Sequence, residues 1–435
     1  MRLRTLIAVS AALLLFGSVS AQTITHWQHQ AHLRAMVTDE LAREFEAANP
    51  GVRIATEHIP FGQYFDKLVT ALATNTASDV FQVPADMAEQ LIGSGFIAPV
   101  PAELMTAAEA GATYLPWVLR YVVGDEVYGV PVDAQTLVLF INDQLYAEAG
   151  FGPDDYPVTW EELADQAKQA TQRDERGEMV VAGLDTRYFR ALLMTAMYGA
   201  SDEPLIGIDG SVSYGRPENQ EGFHWLADML RGPDRVRDPE FLPGQRPFDL
   251  QRAVFYVNHP AARGSIEQAF EGTDYTYTAV QLPKRSADAP ALTVGSHWAW
   301  VVNARSADVE LAWRWVLYGT SEDAQYTWFQ DSGDLPTFVS VACDPALVGD
   351  EVGQVFIDSL MAARPEMQIG RSEIDPIYAR IWERLTLTDD LVEAILEEAA
   401  RSHSLINEQA IGDYGTELIE ELVEAAGTVQ GVVCP

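Results

Sequence analysis

From residue 23 onward, stretches in which apolar and polar residues alternate are followed by stretches in which apolar residues recur every three or four positions. Residues 23–27 alternate as a strand does. A helix follows, with Leu33, Val37, Leu41 and Phe45 on one row, and Asn49-Pro50-Gly51 stops it. Residues 52–57 alternate again, and Phe65, Leu68, Val69 and Leu72 mark a second helix. Residues 79–83 read as a third strand, with a helix over 87–92 behind it. Strands and helices taking turns at short spacing predict an α/β fold built on a parallel sheet covered on both faces. In such sheets ligands bind beyond the carboxyl ends of the strands.

The pattern changes at residues 128–142, YGVPVDAQTLVLFIN. Gly129 and Pro131 are turn formers, and the apolar run 137–141 is that of a buried strand. Asp133 and Gln135 stand between them, so this segment is expected to cross from one α/β lobe to another with polar groups left at the crossing. Beyond it, Thr159 and Glu162 form a capping box that opens a helix running to about residue 171. A strand over 180–184, helices over 191–198 and 217–232, and strands over 253–257 and 275–282 follow. GSHWAWVV, at 295–302, is a tryptophan-rich strand, and Val309, Ala312, Trp313 and Val316 line one face of the next helix. From residue 323 the chain reads as mostly helical, including rows at Leu391, Ile395, Ala399 and at Leu418, Leu422, Val423. With no low-complexity linker, the lobes must be joined by ordered segments.

Residues 1–21 are set apart. Arg2 and Arg4 precede an apolar core over 6–16, and Val19-Ser20-Ala21 offers small residues for cleavage before Gln22. This predicts a signal peptide and a soluble, exported, periplasmic chain. A formal charge of −36 argues against nucleic acid or an anionic membrane surface as partner. In an exported chain the two cysteines, Cys343 and Cys434, are expected to pair and tie down the C-terminal tail. His26, His29 and His32 are spaced H-x2-H-x2-H, but a strand-to-helix boundary between them argues against convergence on a metal ion, and no cofactor is expected. There is no phosphate-binding glycine loop, no H-E-x-x-H and no G-x-S-x-G, so an enzyme is disfavoured; a secreted glycoside hydrolase is the remote alternative.

EFEAANPGVRI at 44–54, SDVFQV at 78–83, YGVP with TLVLFIN, TWEEL at 159–163, the Gly295-Ser296 strand, AWRWVLY at 312–318 and the Leu335-Pro336 turn occur in an order that resembles the extracellular solute-binding proteins of ABC importers. The resemblance is to the carbohydrate-binding group that includes maltose-binding protein, and it spans essentially the whole chain after residue 21. It implies a type II periplasmic-binding fold: two α/β lobes that close over a sugar or oligosaccharide and hand it to membrane permease subunits, with the protein acting as a monomer. It also places crossings near 130–135, 278–282 and 319–322. The first lobe is then expected to comprise 22–131 and 282–319, and the second 132–281 and 320–435.

Sugars present an apolar C–H face to aromatic rings and hydroxyls to amides, carboxylates, imidazoles and guanidinium groups. Trp27, Tyr64, Tyr188 and Trp298 are the expected stacking rings, with His29, Asp86, Asp133, Gln135, Arg190 and Asn258 as polar contacts. Alternation along HWAW puts His297 opposite Trp298 and leaves Trp300 to the core. Gln135 falls where the maltose-binding member carries an acidic ligand contact, which argues against maltodextrin as the ligand. An arginine from Arg187-Tyr188-Phe189-Arg190 in the cleft makes an acidic sugar or a phosphorylated polyol the alternative ligand.

Overall fold

The structure, a computed structural model, describes residues 22–201, 203–366, 371–414 and Cys434. The signal segment 1–21 and the apolar row at Leu418, Leu422 and Val423 lie outside the described residues.

The chain opens with β1 (Gln22–His29), α1 (His32–Ala48), β2 (Val52–Ile59), α2 (Phe61–Thr74), β3 (Val80–Pro84) and α3 (Ala85–Gly93). β1 lies between β2 and β3 and is parallel to both. β4 (Val130–Gln135) stays with this sheet. β5 (Val138–Asn142) begins the second sheet, which adds β6 (Met179–Asp185), β7 (Ala253–Asn258) and β8 (Tyr277–Gln281). There β6 and β7 are parallel, while β5 runs antiparallel between β7 and β8. Its helices include α4 (Trp160–Ala170), α5 (Phe189–Tyr198), α6 (Pro217–Leu230) and α7 (Arg263–Phe270). The chain then returns to the first sheet as β9 (Thr293–Asn303), antiparallel to β3 and β4, followed by α8 (Val309–Gly319). After α9 (Glu351–Met361), β10 (Ala363–Pro365) pairs parallel with the start of β9, and α10 (Arg371–Leu387) and α11 (Val392–Tyr414) pack on α6.

The lobe boundaries differ from expectation. Gln135 still pairs with Ser296 in the first sheet, so the first crossing is Thr136-Leu137 rather than 131–132. The second falls in 282–292, between β8 and β9. Beyond α8 the chain does not leave at 319–322. The turn Trp328–Ser332 packs on α1, Leu335 bridges Ala134, and the Thr337 hydroxyl donates to the Pro131 carbonyl at 3.2 Å. α9 lies on the second lobe, against β8 and β5, β10 comes back to the first, and α10 and α11 return to the second, against α6. These exchanges rest on cross-sheet pairing of very short segments, which carries no periodicity of its own.

Each lobe buries its own apolar set. Tyr64, Leu68, Phe81 and Val301 pack in the first, and Leu139, Trp160, Leu192 and Phe255 in the second. Trp300, Trp315 and Trp328 fill the space between β9 and α8.

Candidate functional site

The carboxyl ends of β1, β3 and β4 and the start of β9 meet the carboxyl ends of β6 and β7 across the gap between the lobes. Two cavities lie there. The smaller, about 210 Å³, is walled by Phe61, Asp86, Tyr188, Arg190, His297 and Trp298, among others. The larger, about 660 Å³, takes Gln30, Arg34, Arg246, Asn258, Gln268 and Asp334 into its wall. His29, Gln135 and His259 border both, so the two are chambers of one cleft.

Asp133 organises the crossing. Its carboxylate accepts hydrogen bonds from Arg34 Nη2, from Gln135 Nε2 at 2.9 Å and from the Trp298 backbone N–H at 2.9 Å. The last contact sits at a register shift: Trp298 faces Asp133 while Ala299 faces Pro131. Arg34 Nη2 is shared with Asp334, so one buried guanidinium holds α1, β4 and the loop after the 328–332 turn together. Burial pushes the Asp334 carboxyl upward against the pull of Arg34, and the nearby Asp133 charge pushes it the same way.

A second charged group closes the small chamber. Arg190, on α5, pairs with Glu366 at 2.6 Å and with Asp375 of α10. The Glu366 backbone N–H donates to the Gly295 carbonyl at 2.7 Å, so Glu366 belongs to the first sheet's edge and its ion pair spans the lobes. Asp86, in the first turn of α3, adds its charge to the Arg190 environment. On the other side, the His259 imidazole contacts the Thr136 carbonyl through Nδ1 at 2.7 Å and the Tyr188 hydroxyl through Nε2 at 2.8 Å. A carbonyl only accepts, so Nδ1 carries the proton. The Thr136 crossing and the Tyr188 ring are thereby linked.

Of the sequence-predicted residues, His29, Asp86, Gln135, Tyr188, Arg190 and Trp298 stand in the wall of the small chamber and Asn258 in that of the large one. Three do not border the cleft. Tyr64 is fully buried, its hydroxyl spent on the Gln82 backbone, because α2 turns that face onto the sheet. Trp27 borders neither chamber; the Lys67 ammonium sits 4.0 Å above its ring. Asp133 is sealed beneath the wall by the three donors described above. Arg187 donates to the Phe241 and Leu242 carbonyls and ties a loop. His297 departs from the alternation argument: it reaches the same chamber as Trp298, beside the register shift in the middle of β9. Phe61, Arg120, Met194, His259 and Glu366 escaped the sequence reading. Only His259 carried a signal, following Asn258 at a strand end; the others arrive from loops and helix faces that tertiary packing alone aims. Among the described residues, no group of three or more His, Cys, Asp or Glu side chains is placed to hold a metal ion.

The sequence model for bacterial extracellular solute-binding proteins matches residues 40–351, most of the chain. The chain belongs to this family. Solute-binding proteins of similar fold include one from Thermotoga lettingae bound with alpha-D-tagatose, at a TM-score of 0.73 and 22% identity over 89% of this chain and all of that one. The GacH receptor of Streptomyces glaucescens superposes with a TM-score of 0.73 at 20% identity, covering 91% of this chain and 99% of that one. Among curated solute-binding relatives, the sn-glycerol-3-phosphate-binding periplasmic protein of Escherichia coli (strain K12) is 29% identical over 172 residues, 37% of this chain and 38% of that protein. The chain matches about a third of the length of such curated relatives. No helix among the described residues is long and apolar enough to cross a membrane.

Proposed function

We propose that this solute-binding protein captures a neutral sugar or oligosaccharide between its two lobes and delivers it to an ABC permease, unchanged, after its 1–21 signal segment has directed it to the periplasm. The observation that carries this reading is the composition of the cleft wall. Aromatic rings (Phe61, Tyr188, Trp298) stand beside guanidinium groups already matched to carboxylates: Arg190 to Glu366 and Asp375, Arg34 to Asp133 and Asp334, Arg246 to Asp249. A hydroxyl donates and accepts at once, so a polyol bridges such pairs without leaving a charge uncompensated. A phosphate or carboxylate brings an added negative charge beside Asp86, Glu366 and Asp334, which disfavours the acidic sugar and the phosphorylated polyol as ligands. The structural relatives bound with sugars lend further support.

Ligand contacts from both lobes bias an open–closed equilibrium toward closure. Ligand at 100 times its Kd stabilises the fold by about 2.7 kcal/mol. Thermal-shift screening of neutral saccharides beside glycerol 3-phosphate and a hexuronic acid is expected to raise Tm with a neutral saccharide, and small-angle scattering to show compaction on binding. The ligand is expected back intact. Stabilisation by the phosphorylated or acidic compounds alone would replace this reading with the anionic one.

A further inference from the structure

Among the described residues, two buried side chains of the cleft, one in each chamber, hold nitrogens with no hydrogen-bond partner. In the small chamber it is His297, 3% exposed, with neither ring nitrogen bonded. Its neighbours are ring edges, Tyr121 at 5.4 Å and Trp117 at 6.0 Å between centroids. A neutral imidazole offers one donor and one acceptor, and leaving both unmet in the interior is rare enough to need a reason. Burial and the Arg120 charge hold this imidazole well below its ordinary pKa and therefore neutral. In the large chamber the group is Arg34, 4% exposed: Nη2 serves both Asp133 and Asp334, while Nη1 is buried without a partner. Gln135, at the neck, donates its amide to Asp133, which leaves its carbonyl oxygen for a ligand.

The chambers differ in chemistry and size. The small one has the rings of Phe61, Tyr188 and Trp298 in its wall and, at about 210 Å³, falls below the roughly 300–1,000 Å³ usual for a complete small-molecule site. The large one, about 660 Å³, has no Phe, Tyr or Trp in its wall, where amides, hydroxyls and guanidinium groups stand among the apolar side chains of Ala31, Leu33, Ala261 and Ala262.

Resting on the carbohydrate reading above, we propose that the ligand is at least a disaccharide: one ring fills the small chamber with a hydroxyl on His297, and the next passes Gln135 into the large chamber, where it is held by hydrogen bonds, including one to Arg34 Nη1, and by no Phe, Tyr or Trp ring. A single sugar ring reaches one of the two unmet groups. A two-ring ligand reaches both.

The test is calorimetry on the full mature chain with glucose, galactose and mannose and with maltose, cellobiose, lactose and mannobiose. The tightest disaccharide is expected to bind at least about ten-fold more tightly than either of its component sugars, a difference of about 1.4 kcal/mol. Gln268 is exposed on α7 at the rim of the large chamber, so Gln268→Trp narrows that chamber from outside the core. It is expected to bring the disaccharide-to-monosaccharide affinity ratio down to about one. His297→Phe is expected to weaken both ligands by about ten-fold or more. Equal affinity for one and two rings in the parent protein, or an unchanged ratio in Gln268→Trp, overturns the two-chamber assignment while leaving the carbohydrate reading in place. Binding of glycerol 3-phosphate with no response to any saccharide overturns both.

Discussion

Asp133 and Gln135 sit two residues apart on β4 and do different work. Asp133 is under the wall, compensating Arg34 and fixing the Trp298 backbone; Gln135 is in the wall. Asp133→Ala leaves a buried guanidinium with one carboxylate instead of two, so it is expected to destabilise the fold by about 3–5 kcal/mol. Gln135→Ala is expected to cost more than about 1 kcal/mol of ligand affinity while barely moving the urea midpoint. Equal effects of both on stability would sink this division. Residues also set the pH profile. Burial pushes the His403 imidazole down to about 4. The unfolded chain, with an ordinary pKa near 6.5, takes up the proton first, so stability present above about pH 6.5 is lost as the pH falls toward 4. Burial also pushes the Asp185 carboxyl up to about 6, with the opposite sign: its contribution is complete below about pH 4 and is lost as the pH rises through 6. His403→Gln, which keeps an acceptor for the Tyr214 hydroxyl, is expected to flatten the first limb of a urea-midpoint profile against pH. A profile superposable on that of the parent between pH 6.5 and 4 would rule this out.

At the scale of elements, local chemistry and close approach play separate parts. The Thr159–Glu162 capping box forms as its spacing demands: Thr159 Oγ1 accepts from the Glu162 N–H at 3.2 Å, and Glu162 accepts from the Thr159 N–H at 2.9 Å. The helix it opens, α4, packs on β6 at Gly183, where an added Cβ would stand 1.8 Å from the Ala167 carbonyl oxygen. That glycine is required by the approach of helix to strand. Gly183→Ala is expected to destabilise by about 1–3 kcal/mol, measured by chemical denaturation. A neutral outcome would mean that α4 has room to move away. Strands were legible where several alternating or apolar residues succeed one another, as in β1, β5 and β9. β10, three residues long, had no signal, and neither did the register shift that brings His297 and Trp298 to one chamber.

For the whole molecule, the long-range ties decide the architecture. Cys343 and Cys434 form a disulfide across 91 residues, as the pair in an exported chain implied. In the chain-entropy account, closing such a loop stabilises by about 4–5 kcal/mol. Cys343→Ser with Cys434→Ser is expected to lower the denaturation midpoint, and reductant is expected to do the same to the parent but not to the double variant. Insensitivity of the parent to reductant would remove the bridge from any account of stability. The Arg190–Glu366 pair and the Arg34 triad act at the same scale, since each joins segments more than 90 residues apart.

Sequence alone determined the alternation of strands and helices, the two-lobe family, the crossing near residue 135 and the wealth of aromatic and polar residues at strand ends. Those features are written in short-range periodicity and turn chemistry, which each segment carries by itself. Which residues meet is a different kind of information. That Tyr64 faces the core, that Asp133 is sealed beneath Gln135, and that Glu366 comes back to pair with Arg190 were decided only by packing and pairing between distant segments. The unmet nitrogens of His297 and Arg34 belong to the same class, since whether a buried polar group has a partner depends on every element around it.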